Sequence, residues 1–241
     1  MAQLSSYPLI VLHGALGAAS QFAELSRELQ GDFGIHSFDF ERHGGEQEAS
    51  RAFAIENFAE NLVSYLDAAS IDVADVFGYS MGGYVALYAA ARFPERVRRV
   101  MTLGTKLAWN PDVATREASF LNAERIAEKT PKFAARLEAL HSGAQWKTVV
   151  EKTRGLLLSL GEQPRIDNAL LRSLRQPVCL ALGDRDEMVA LQETASAFAE
   201  LPSGALAVLP QTPHPWEKIS LPILAFHLRH FFGAPRESAL A

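Results

Sequence analysis

The stretch Val73-Ala74-Asp75-Val76-Phe77-Gly78-Tyr79-Ser80-Met81-Gly82-Gly83 leaves little freedom in how its surroundings can fold. The apolar run at 73–77 predicts a strand and residues 81–92 predict a helix. Gly78-Tyr79-Ser80-Met81-Gly82 must therefore turn strand into helix in one tight step. So sharp a turn strains the backbone of its middle residue, and the flanking glycines, with Gly83 beyond, relieve the crowding. Ser80 then stands above the carboxyl edge of a sheet, where open α/β sheets bind ligands, with the positive end of a helix beneath it. A glycine-rich turn with an N-capping serine has the same composition. The strand before and the helix after set this one apart.

The rest of the chain fits such a sheet. Apolar runs at 9–12, 35–38, 73–77, 97–103, 178–182 and 205–209 alternate with helical periods. Several are continuous rather than alternating, as expected of parallel strands covered on both faces. Within 55–68, Ile55, Phe58, Ala59, Leu62, Val63 and Leu66 recur at helical spacing. A further helix is predicted at 188–200, and a last one puts Ile219, Ile223, Phe226 and His230 on one face with Pro222 in its first turn. The pattern predicts one domain over 1–241 built on a doubly wound, mainly parallel sheet.

Residues 106–172 break the alternation, with helical stripes (Phe133, Leu137, Leu140; Val149, Val150, Thr153, Leu156, Leu157, Leu160) and no convincing strand. The segment is too long for a loop and predicts a helical lid inserted between two core strands. Trp109, Phe120, Phe133 and Trp146 are its candidate pocket residues, with Trp146 the one expected to reach the pocket.

A net charge of -5 without a long basic run gives no footprint for nucleic acid or an anionic membrane. No apolar run is long enough to span a bilayer, and the start of the chain lacks a signal-peptide pattern, so a cytoplasmic location is expected. Cys179, the one cysteine, lies in an apolar run and reads as a core residue. There is no H-E-x-x-H, no cysteine pair and no G-x-G-x-x-G after a strand, so neither metal nor organic cofactor is expected. The expected partner is a small-molecule substrate; the sequence says nothing of oligomeric state.

A serine hydroxyl needs a base, and the base an orienting acid. Of seven histidines, His214 follows the last predicted strand at the sheet edge that carries Ser80. His227 and His230 fall on the last helix, His36 in a strand, His43 in a turn and His141 in the insertion. Gly183-Asp184-Arg185-Asp186-Glu187, after the preceding strand, offers two aspartates. Either can cap the next helix; Asp186 is preferred as the orienter and Asp184 as the turn residue. The chain order is then Ser80, Asp186, His214.

With these residues in view, the whole chain resembles the α/β-hydrolase superfamily, in particular its short bacterial members with helical lids. Leu12-His13-Gly14-Ala15 resembles the family's His-Gly-x oxyanion loop, and Gly183 to Val189 its G-x-x-D-x-x-V segment, which favours Asp186 as the acid. Asp39 to Gly44 resembles the D-x-x-G-H-G turn, with Arg42 where glycine is usual, and Thr212-Pro213-His214 replaces the frequent Gly-His pair. The family's first two antiparallel edge strands find no counterpart. The resemblance implies an oxyanion hole from the backbone N–H groups of Ala15 and Met81, with His13 supporting the loop. It also implies a Ser-His-Asp hydrolase, most commonly of a carboxylic ester. Three alternatives keep the same residues. One is a C–C bond lyase or hydrolase, including the lyases of menaquinone biosynthesis, which are similar in size and in the His13–Gly17 loop. Another is a cofactor-free haloperoxidase or perhydrolase, and the third a hydrolase-like small-ligand receptor with little turnover.

Overall fold

The computed structural model describes residues 7–45, 51–143 and 145–233. Its strands are β1 (Leu9–Leu12), β2 (Ile35–Ser37), β3 (Ala74–Tyr79), β4 (Val97–Leu103), β5 (Val178–Gly183) and β6 (Gly204–Leu209). They form one sheet in the order β2-β1-β3-β4-β5-β6, every pairing parallel. The doubly wound architecture expected from the sequence is the one observed. β3 starts one residue later than the apolar run suggested and continues to Tyr79, directly against the turn.

The order of the strands puts a switch point between β1 and β3, where the chain changes the side on which it adds strands. Leu12 pairs with Gly78 there, so the segments leaving β1 and β3 emerge side by side at the carboxyl edge.

Side chains of successive strand residues point to opposite faces, so the sheet carries two cores. Ile10, Leu12, Val76, Val100 and Leu180 pack with Phe58 and Leu62 of α2 (Ile55–Ala68) and Val85 and Ala89 of α3 (Met81–Arg92). Leu9, Val11, Phe77, Met101 and Ala181 pack with Leu25 of α1 (Ala23–Glu28) and Leu224, Leu228 and Phe232 at the C-terminal end. Cys179 is buried in this second core, where desolvation pushes its thiol pKa up to about 11, as for an inert core residue. Among the described strands, the edge strand β6 alone exposes large apolar side chains, Leu206 and Val208.

The helix made by that C-terminal segment, Leu221–Phe232, has Pro222 in its first turn but buries Leu224, Ala225, Leu228 and Phe232. Phe226, placed on one face with Ile219, Ile223 and His230 by helical spacing, is 63% exposed. Both stripes obey helical spacing on so apolar a helix, and packing against α1, β4 and β6 decides between them. The far end of the helix is tied down by Arg99, which donates to the carbonyls of Phe231 (2.7 Å) and Phe232 (2.6 Å). Arg99 also donates to the buried Asp75 carboxylate at 3.0 and 3.2 Å.

Among the described residues between β4 and β5 the chain forms five helices, α4 (Pro111–Ala118), α5 (Ala123–Lys129), α6 (Pro131–Leu140), α7 (Gln145–Glu162) and α8 (Asn168–Ser173). Their starts are written in the sequence: Asn110, Asn122 and Asp167 accept from the N–H groups of Val113, Arg125 and Leu170 at 2.9, 2.7 and 2.7 Å. After β5, α9 (Leu191–Phe198) packs on β5 and β6 in the first core, and α10, the Leu221–Phe232 helix, packs on β4 and β6 in the second.

Candidate active site

β3 ends at Tyr79 and α3 begins at Met81, which leaves Ser80 alone in the turn at φ 52°, ψ -117°. An L-residue held there costs on the order of 1–3 kcal/mol, so the surroundings must hold it. The Ser80 N–H donates to the Leu103 carbonyl at 2.8 Å, and the Ser80 carbonyl accepts from Thr105 Oγ1 at 2.9 Å. The flanking glycines are required by close approach. A Cβ at Gly82 would lie 2.4 Å from the Leu12 carbonyl oxygen, and one at Gly78 would lie 2.4 Å from the backbone of Gly82.

His214 follows β6 and reaches back across the carboxyl edge. Its Nδ1 lies 2.7 Å from Asp186 Oδ2 and its Nε2 3.2 Å from Ser80 Oγ. A carboxylate can only accept, so Nδ1 carries the proton and Nε2 offers its lone pair to the Ser80 hydroxyl. The other Asp186 oxygen accepts from the N–H groups of Met188 and Val189, both at 2.8 Å. Asp184 makes no hydrogen bond or ion pair with His214. Its Oδ1 accepts from the Thr212 N–H at 3.2 Å and braces the loop that carries the histidine. Gly104, at φ 63°, lets the β4 terminus pass beside the pair: a Cβ there would sit 3.0 Å from Asp186 Oδ2.

Tyr79 adds a link that sequence reasoning missed. Its hydroxyl donates to the main-chain carbonyl of His214 at 2.7 Å. Burial, reinforced by the Asp186 charge, pushes the phenol pKa well above its ordinary value, so the group stays a donor.

Ser80 and His214 open into a cavity of about 80 Å³. Ala15, Met81, Ile55, Trp109, Leu157 and Leu160 give it an apolar wall, and Lys106 and Glu117 supply a charged corner. Lys106 Nζ lies 3.9 Å from Glu117 and 3.7 Å from Glu193, which itself accepts from the Leu107 and Ala108 N–H groups. Tyr84 also lines the cavity; its hydroxyl oxygen accepts from the N–H groups of Arg165 and Ile166 at 2.9 Å. Among the described residues the N–H groups of Ala15 and Met81 have no hydrogen-bond partner, and both residues line the same cavity as Ser80. A larger open depression, about 710 Å³, lies among α4, α5 and α7; it shares no lining residue with this cavity and is walled mainly by charged and polar side chains.

Of the four aromatic residues assigned to the pocket from the sequence, only Trp109 lines it. Phe120, past the end of α4, is 66% exposed, and Phe133, in the first turn of α6, is 39% exposed. Trp146 is buried with Ala123, Ile126, Leu137 and Val150 in a core belonging to α5, α6 and α7. The insertion has to bury a face of its own, and Trp146 goes there.

Among the described residues no group of three or more His, Cys, Asp or Glu side chains is placed to hold a metal ion, and no helix is long and apolar enough to cross a membrane. Residues 7–161 match the family model of the α/β hydrolase fold. A pimeloyl-[acyl-carrier protein] methyl ester esterase of Chromobacterium violaceum is 25% identical over 225 residues, covering 86% of each chain. Esterase YbfF of Escherichia coli K12 is 30% identical over 104 residues, 42% of this chain. Some curated relatives are matched over less than half their length, 38% and 39% in two cases. The structure of a thermophilic esterase from Thermogutta terrifontis superposes with a TM-score of 0.75 at 20% identity, over 95% of this chain and 90% of that one. With the family model matched over well over half its length, this chain belongs to the α/β hydrolase fold family.

Proposed function

We propose that the protein is a serine hydrolase that cleaves small carboxylic esters through an acyl-enzyme, with Ser80 as nucleophile, His214 as general base and acid, and Asp186 as orienter. The observation that carries this reading is the continuous contact from Asp186 Oδ2 through His214 to Ser80 Oγ, at 2.7 and 3.2 Å. In the first half-reaction Ser80 Oγ adds to the ester carbonyl carbon while its proton passes to His214 Nε2. Collapse of the tetrahedral intermediate breaks the C–O bond to the alcohol, which leaves with that proton. A water then adds to the acyl carbon, again giving a proton to His214, and the acid departs as Ser80 recovers the proton. Asp186 holds the productive tautomer and stabilises the imidazolium without becoming protonated.

The tetrahedral oxygen carries the developing charge, and the unpartnered N–H groups of Ala15 and Met81 are its donors in this reading. Losing one such donor costs about 3–4 kcal/mol in comparable sites. Met81 is also the first residue of α3, so the helix's positive end adds to the same field. The cavity is small beside typical ligand pockets and mostly apolar, which suits a short acyl chain. The five-helix block acts as a lid over it. The chemistry uses neither metal nor organic cofactor and is placed in the cytoplasm. The relatives named as esterases support hydrolysis as the outcome.

A fluorophosphonate probe and a p-nitrophenyl ester series of increasing acyl length test the reading together. Wild-type protein is expected to label at one equivalent and to turn over the short esters, and Ser80→Ala to do neither while keeping its fold. Full labelling of Ser80→Ala removes Ser80 as nucleophile. Stabilisation of wild type by small esters without turnover makes the protein a receptor instead.

A further inference from the structure

We propose that His141, on the helical insertion, is a positioning residue for the loop that presents the Ala15 N–H, so that the insertion sets oxyanion geometry as well as covering the cavity. This rests on the serine-hydrolase reading above.

His141 follows α6 and is fully buried. The Gly44 N–H donates to its Nδ1 at 3.0 Å, which makes that nitrogen the acceptor. The proton is therefore on Nε2, which donates to the Leu16 carbonyl, also at 3.0 Å. One ring thus joins the turn after β2 to the loop after β1. The same stretch of the insertion makes a second attachment to that turn, Gln145 Nε2 donating to the Arg42 carbonyl at 3.0 Å. Arg42 stands where the family usually has glycine and is itself at φ 65°, so this strained turn is held from the insertion.

The loop end of the link is strained too. Gly17 N–H donates to the Gly14 carbonyl at 3.0 Å, closing the turn Gly14-Ala15-Leu16-Gly17, with Leu16 at φ 58°. A leucine in the left-handed region stays there only if it is held. The Gly14 carbonyl and the Ala15 N–H belong to one planar trans peptide and point in opposite directions. Whatever fixes this turn therefore aims the Ala15 N–H. His13 grips the turn from below, its Nδ1 donating to Gly14 at 2.9 Å. His141 grips it from the insertion side through Leu16. His43 packs between the two rings, with centroids 4.8 Å from His13 and 5.7 Å from His141. Burial disfavours the imidazolium in His141, with the Leu16 hydrogen bond and the Asp39 charge opposing, so Nδ1 keeps the lone pair that the Gly44 link needs.

His141→Asn keeps an acceptor near Gly44 but cannot reach Leu16, and His141→Phe keeps ring packing while losing both bonds. His141→Gln retains a donor and an acceptor on one head group. For a short p-nitrophenyl ester, the Asn and Phe variants are expected to lose about 10- to 100-fold in kcat, the scale of a displaced catalytic donor, with KM within about twofold. Affinity for a boronic acid, whose serine adduct places a charged oxygen in the hole, should fall by the same factor, and Gln should restore most of both. A folded Asn or Phe variant with wild-type kcat overturns the proposal. So does loss of fold in both, because His141 would then be simply core. Wild-type turnover in Ser80→Ala sinks the serine reading instead and leaves the His141 result to be read separately.

Discussion

The Tyr79 hydroxyl and the His214 carbonyl oxygen lie 2.7 Å apart, so the residue that precedes Ser80 in sequence also holds the loop bearing the side chain that faces Ser80. Two segments separated by more than a hundred residues are held together by one partly buried hydrogen bond. The Tyr79 ring also packs on Trp216, with centroids 5.3 Å apart, and the Trp216 indole donates to the Gln21 carbonyl at 3.0 Å. Elbow, histidine loop and the start of the segment after β1 are thus braced together.

Tyr79→Phe removes only the hydroxyl. A buried neutral hydrogen bond is worth about 1 kcal/mol net, which corresponds to about a fivefold effect. The variant is expected to lose about that factor in kcat with little change in KM, and to keep fluorophosphonate labelling at full stoichiometry but a lower rate. Steady-state kinetics beside the labelling rate checks this; an unchanged labelling rate would show that the bond braces the fold alone.

The two aspartates after β5 have separate tasks, and charge removal should separate them. Asp186→Asn keeps the shape but no longer requires Nδ1 to be the protonated nitrogen, and a loss of about 10⁴ in kcat is expected from such a change of tautomer. Asp184→Asn keeps an acceptor for the Thr212 N–H and should stay within about fivefold of wild type. Equal losses in the two variants would remove the distinction.

Trp109 and Trp146, both assigned to the pocket from the sequence, should part in their effects, with Trp109 and not Trp146 acting on the substrate. Trp146→Ala empties the core of α5, α6 and α7 and is expected to cost about 3–5 kcal/mol of stability. Trp109 is partly exposed and lines the Ser80 cavity, so Trp109→Ala should extend turnover toward longer acyl chains at a smaller cost in stability. Chemical denaturation and the p-nitrophenyl ester profile, measured on both variants, decide the matter.

These cases mark what the sequence could carry. Ser80, Asp186 and His214 each lie just beyond the end of a strand, and parallel strands bring all their carboxyl ends to one edge, so short-range pattern was enough to propose their meeting. The oxyanion loop was proposed by resemblance, because nothing in the composition of His13-Gly14-Ala15 points to an N–H aimed at a cavity. The insertion was legible as helices, from its apolar stripes at helical spacing, but not as an arrangement. Helical spacing says that Phe133 and Leu137 share a stripe without saying which neighbour buries it, and Phe133 is left half in solvent. His141 escaped notice for the same reason. Its partners, Leu16 and Gly44, are 125 and 97 residues away.

The buried histidines finally predict how stability depends on pH. Burial lowers the His13 pKa to about 4 and holds His43 well below its usual value, with the charge on neighbouring imidazoles working in the same direction. In the unfolded chain both titrate near 6.5. Between these limits the unfolded state binds protons that the folded state refuses, so stability rises with pH. The contribution is fully present above about pH 6.5 and is lost as pH falls toward 4. Each imidazole can account for at most about 1.4 kcal/mol per pH unit. Urea unfolding at pH 7, 6 and 5 should show a steady decline, in a window chosen above most carboxylate titration. His43 stacks on Phe53 and its Nε2 has no partner among the described residues, so His43→Phe keeps the packing and removes one titrating group. The variant is expected to have a slope shallower by up to one proton over that window. A wild-type stability that stays flat from pH 7 to 5 would mean that the two rings accept protons in the folded state, and that the burial argument fails.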